Sequence, residues 1–209
     1  GFRGTAIALA ANGKGDVEFQ DGRAEVDISV RKLPAPASIG PYTTYVLWAV
    51  TIDGRASNLG SIETRQGRGD LETSTRLSQF ALIVTAEPHF AVTVPSKSVV
   101  LRNLGVSVKG EKTMIGNLAE RMDYDSLAAQ PADPKGKTPN ELIQARYAVD
   151  IARAAKAEEF VPQQFALSAS RLAEAEAAAA NKKYRVRETA PRLAREAVIE
   201  HRAEREQVR

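Results

Sequence analysis

The stretch Tyr42-Thr-Thr-Tyr-Val-Leu-Trp-Ala-Val50 limits what this chain can fold into more than any other. Both of its alternating faces are largely apolar or β-branched, with Tyr42, Val46, Trp48 and Val50 on one and Tyr45, Leu47 and Ala49 on the other. A strand with one wet face alternates apolar with polar, whereas a run apolar on both faces belongs to a strand covered on both sides. Trp48 is the only tryptophan and the natural anchor of the surrounding core. Asp53-Gly54 then supplies a turn, and the run 56–62 follows closely enough to pair back as an antiparallel hairpin.

Strand signals fill the rest of the first half. Residues 5–11 read as a short strand, 12–16 (Asn-Gly-Lys-Gly-Asp) as a tight turn, and 17–20 as a strand ending at Asp21-Gly22. Ala24, Val26, Ile28 and Val30 alternate with Glu25, Asp27, Ser29 and Arg31, which gives a strand with one wet face. The prolines at 34, 36 and 41 make 33–41 a crossing loop. Further strands are expected at 71–75, at 80–86 (apolar on both faces, ended by Glu87-Pro88), and at 90–94, 99–101 and 106–108, while 114–124 reads equally as a last strand or a short helix. About seven to nine strands with such brief links leave no room for helical crossovers, so the expectation is an antiparallel β-sandwich of the immunoglobulin-like sort or a barrel, the sandwich being preferred.

Composition changes past the middle of the chain. Pro, Gly, Thr and Val give way to Ala, Glu and Arg, which divides the 209 residues into a β domain (1–125), a linker rich in Pro and Gly (126–137) and an alanine-rich helical hairpin or bundle (138–209). Thr138-Pro-Asn-Glu141 reads as a capping box opening a helix to about residue 157, striped by Leu142, Ala145, Val149 and Ala152. Pro162 opens a second helix with the stripe Phe165, Ala169, Leu172, Ala175 or Glu176, and Ala179, and Asn181 is its expected stop. A third helix from about residue 182 carries Tyr184, Leu193, Ala197 and Val198, with Pro191 either kinking it or starting a new segment. Two or three antiparallel helices follow, with self-association through the C-terminal ones as a further expectation.

Charge and composition exclude several function classes. The net charge of +3 comes from the helical part and is interleaved with acids, unlike the basic stripe of a nucleic-acid binder. Without cysteine there are no disulfides, thiolate metal sites or cysteine nucleophiles. No apolar run is long enough for an integral membrane span. The start at Gly1 reads as that of a processed or trimmed piece.

No catalytic, cofactor or metal constellation is expected. Gly136-Lys137-Thr138 resembles the end of a phosphate loop, but Pro131 stands where its first glycine would be. Arg68-Gly69-Asp70 is an adhesion-type tripeptide placed in a loop. His89 and His201 lack clustered partners, and Asp123 with Asp125, like Glu158 with Glu159, reads as a solvated carboxylate pair. The residues expected to meet a partner are Tyr42, Tyr45 and Phe90, as an exposed aromatic platform, and the basic cluster Lys182, Lys183, Arg185 and Arg187.

The segment 42–50 with Asp53-Gly-Arg55 and Ser57-Asn-Leu-Gly60, then Leu71-Glu-Thr-Ser-Thr75 and Thr85-Ala-Glu-Pro88, resembles the N-terminal β domain of uncharacterised bacterial envelope proteins. Ala145-Arg146, Ala148, Ala152-Arg153, Ala155, Pro162, Phe165, Leu172, Ala175-Glu176 and Tyr184 resemble the alanine-rich helical domain of envelope lipoproteins that often precedes an OmpA-like peptidoglycan-binding domain. The resemblance implies an exported, periplasmic or envelope-associated protein with a non-catalytic structural or adaptor role, bound to an envelope protein or cell-wall polymer. A carbohydrate- or peptide-binding module is the alternative reading, and a hydrolase built around His89 the third.

Overall fold

The computed structural model describes residues 1–103, 118–130 and 137–208. The chain forms two compact units, Gly1–Asp125 and Ser126–Arg209. The strand expected at 106–108, part of 114–124 and half of the linker 126–137 lie outside the described residues.

The first unit contains β1 (Phe2–Gly4), β2 (Asn12–Gln20), β3 (Arg23–Arg31), β4 (Thr44–Val50), β5 (Ala56–Ile62), β6 (Gly69–Thr75), β7 (Ala81–Glu87) and β8 (Val99–Asn103). They make one continuous sheet in the order β5-β4-β7-β8-β1-β2-β3-β6, every neighbouring pair antiparallel. The expected pair of facing sheets is therefore replaced by a single sheet that is nearly closed and barrel-like. Its edge strands meet side by side. Thr73 Oγ1 on β6 donates to the carbonyl of Leu59 on β5 at 2.8 Å, and a Cβ placed on Gly60 would touch Leu71 at 3.5 Å.

β4 is buried at all its positions, as its two apolar faces require. Val46, Trp48 and Val50 pack with Ala81, Ile83, Val92 and Val99, and Leu118 borders them. Tyr45, Leu47 and Ala49 are fully buried on the opposite face. The hairpin to β5 forms as expected, with a bulge where Leu47 faces Gly60 and Trp48 faces Asn58. β3 buries Ala24, Val26, Ile28 and Val30 and keeps its other face wet. Asp21 and Gly22, both at positive φ, make the two-residue turn that joins it to β2. The loop 33–41 crosses to β4, which is not a neighbour of β3.

Three local expectations are overturned, each for a steric or hydrogen-bonding reason. Residues 5–11 form turns, with Ala8 N–H bonded to Thr5 O (3.0 Å) and Ala11 N–H to Ala8 O (2.9 Å). The glycines at 13 and 15 lie inside β2, where a Cβ on Gly15 would stand 2.8 Å from the Phe2 ring; they admit a neighbour and make no turn. Residues 90–94 are held without a ladder, because Asn58 Nδ2 donates to the carbonyls of Phe90 (3.0 Å) and Val92 (2.8 Å).

The second unit contains α1 (Asn140–Ala154), α2 (Ala157–Phe160), α3 (Pro162–Ala179), α4 (Tyr184–Arg187) and α5 (Ala190–Val208). α5 packs against both α1 and α3, which touch each other little. Buried alanines at 145, 148, 152, 175, 178, 194 and 197 let the axes approach closely and lose no side-chain entropy in doing so. Pro139 takes the cap position at the start of α1, so the expected Thr138 box does not form there, and Lys156 in the left-handed conformation closes its end. Pro191 begins a new segment, in the first turn of α5. On α3 the buried stripe runs through Phe165, Ser168, Ala175 and Ala178, leaving Ala169, Leu172 and Ala179 half-buried. No helix among the described residues is long and apolar enough to cross a membrane.

Candidate functional site

The aromatic residues expected on the surface are placed inside. Tyr42 is buried with its hydroxyl 2.9 Å from Ser98 Oγ and its ring edge-on to Tyr124, the centroids 6.4 Å apart. Burial, seconded by the Glu87 carboxylate, pushes its phenol above the usual range against the Ser98 hydrogen bond. Tyr45 donates to the Pro34 carbonyl at 2.7 Å, and burial raises its phenol too. Neither ring offers a platform, and Phe90 is half-buried. Tyrosine is amphipathic, and here its apolar body fills the core while Ser98 or the Pro34 carbonyl satisfies the hydroxyl.

Lys182, Lys183, Arg185 and Arg187 are exposed between α3 and α5. Gly69 and Asp70 belong to β6, paired with Val30 and Ser29, and not to a loop. Asp123 and Asp125 grip Lys97 at 2.9 and 2.6 Å, and Glu158 pairs with Arg153 at 3.0 Å. These pairs are exposed and contribute little.

A polar cluster that the sequence did not announce lies at the end of β7. The Glu87 carboxylate, fully buried, accepts from the Ser96 N–H at 2.7 Å and from the Thr85 hydroxyl, which itself accepts from Trp48 Nε1 at 2.8 Å. Ser96 Oγ donates to the Ala86 carbonyl at 2.7 Å and accepts from the Ser98 N–H at 3.1 Å. The carboxylate thus clamps the segment after Pro95 onto β7. Glu87→Ala, which leaves the Ser96 donor buried without its acceptor, is expected to cost the β unit about 3 kcal/mol, and Glu87→Gln distinctly less. Urea titration followed by Trp48 fluorescence measures both.

Ser168, Glu204 and His201 form a second buried group, in the helical unit. Ser168 donates to Glu204 Oε1, and His201 Nδ1 lies 2.9 Å from Glu204 Oε2. In a nucleophile-base-acid relay the imidazole bridges serine and acid. Here the carboxylate is the bridge and no ring nitrogen faces the hydroxyl, so the group braces helices. His89 is likewise buried.

The solvent face of β2, β3 and β6 is different in kind. The register sets Asp16 opposite Asp27 and Asp27 opposite Glu72, and the next row sets Glu18 opposite Glu25. These five carboxylates are exposed and line a concavity of about 410 Å³. Opposed side chains on a ladder stand about 5 Å apart at Cβ, and like charges there are destabilising. Cations on this face stand at its margin: Arg23, bonded to Ser74 at 2.5 Å, Lys14, opposite Ser29, and Arg31, opposite Asn12. Among the described residues no group of three or more His, Asp or Glu is arranged to hold a metal ion. Sequence alternation placed Glu25 and Asp27 on a wet face, but Asp16 read as part of a turn, and the register that aligns the acids across three strands needed the fold.

Compared with protein-family models, with curated proteins and with solved structures, the chain matches none.

Proposed function

We propose that the protein is a non-catalytic adaptor of the bacterial envelope whose β unit docks a basic segment of another envelope protein on the β2–β3–β6 face. The observation that carries this reading is the row Asp16–Asp27–Glu72 beside Glu18–Glu25. Folding alone gains nothing from five facing carboxylates, whereas a cationic partner turns their mutual repulsion into attraction. The same face disfavours a phosphate backbone. The sealed positions of His89, His201 and Glu87 support the non-catalytic reading, and the resemblance of the sequence motifs within 42–88 and 145–184 to envelope proteins supports the compartment.

Co-sedimentation with isolated bacterial envelopes tests it. The chain is expected to pellet at low salt and to be released as salt shortens the screening length to a few ångströms, about 3 Å at 1 M. No pelleting at low salt would refute the envelope role. The face also makes a prediction about stability. Asp27→Asn removes a charge that faces a like charge on both sides and is expected to stabilise the β unit by about 0.5–1 kcal/mol, readable as a higher urea midpoint at unchanged slope.

A further inference from the structure

His201 is nearly inaccessible, held between the Phe165 ring (centroids 5.4 Å apart) and the Glu204 carboxylate at the contact of α5 with α3. With Nδ1–H donating to Glu204, Nε2 has no hydrogen-bond partner among the described residues. We propose that this histidine is an acid-sensitive latch: neutral, it keeps α5 seated against α3, and its protonation releases that contact.

The geometry sets the direction. A second proton would sit on Nε2 as a buried N–H with no acceptor, beside the Phe165 ring, which itself packs with Val149, Ala152 and Ala157. The charged groups facing the ring divide. Glu204 and Glu200 on α5 favour the imidazolium; Arg153 on α1 opposes it and is itself paired with Glu158 on α2. From α3, Ser168 shares Glu204, and Arg171 lies 3.8 Å from Glu200 and partly neutralises it. Burial outweighs the two carboxylates and holds the imidazole below its ordinary value near 6.5. The opened state therefore takes up the proton more readily. Stability of the contact is complete well above pH 6.5 and is lost as pH falls from there toward the lowered folded value.

Hydrogen exchange of the full chain at pH 7.5 and 5.5, corrected for intrinsic rates, tests the latch. Protection of α5 amides is expected to fall up to about tenfold, the limit set by an ordinary histidine value of 6.5, while β3 amides serve as the internal reference. In His201→Gln the α5 response should vanish. Equal α5 protection at the two pH values in the wild type overturns the proposal, whether or not the variant folds. An independent readout is the imidazole NMR titration, simple because the chain has only two histidines. The His201 signal should titrate below 6.5 as the Nδ1–H tautomer, and a midpoint at or above 6.5 also overturns it.

Discussion

Trp48→Ala is expected to remove about 3–5 kcal/mol from the β unit, a large share of what a domain of this size possesses. The side chain is fully buried among Val46, Val50, Ala81, Ile83, Val92 and Val99. Truncation withdraws the transfer energy of a large aromatic and opens a cavity that the flanking strands β5 and β7, pinned by their ladders, cannot collapse to fill. A second contribution is polar: the Thr85 hydroxyl loses its indole donor while it remains bound to Glu87. Trp48→Phe, which restores most of the volume but not the N–H, should recover well over half of the loss. Chemical denaturation followed by far-ultraviolet circular dichroism measures both variants, since the fluorescent reporter is removed.

The second large effect belongs to the helical unit. Val198 is fully buried on α5, and Asp there must either ionise without a partner in an alanine-lined interface or remain protonated with its polar atoms unsatisfied. A loss on the order of 4 kcal/mol or more is expected, enough to melt the helices at room temperature. The β unit should keep its Trp48 fluorescence and its urea midpoint while the helical signal disappears. The same burial takes Val198 out of any self-association surface that the C-terminal helices offer, because its side chain is already covered. Leu193, half-buried, covers less.

These outcomes rest on features of unequal legibility. The β4–β5 hairpin could be read directly because two-sided apolarity and Asp53-Gly54 act locally, and β5 spans 56–62 as expected. The alternation of β3 and the Pro162 start of α3 were legible for the same reason. What sequence could not supply were decisions made between distant residues. Gly13 and Gly15 look like turn residues until Phe2 is seen against them, and residues 90–94 look like a strand until Asn58 captures their carbonyls. Closure into one barrel-like sheet depends on β5 reaching β6, the two ends of the strand order, which share no backbone ladder and are joined through the Thr73 hydroxyl. The site shows the same divide. Tyr42 and Tyr45 gave the wrong surface, since a tyrosine pattern does not say which end finds a partner. Of the acids at 16, 18, 25, 27 and 72, only Glu25 and Asp27 were legible as a wet face; Asp16 read as a turn residue, and the rows themselves depend on the register.

Binding by that acidic face is the central claim, and one paired measurement bears on it most directly. Wild type and Asp27→Lys are compared for urea stability and for co-sedimentation with isolated envelopes at low salt. Lysine at 27 stands between Asp16 and Glu72, so the β unit should gain about 1 kcal/mol while pelleting is lost. Gained stability with undiminished pelleting would contradict the account, because the face would then be a strained surface that no partner uses.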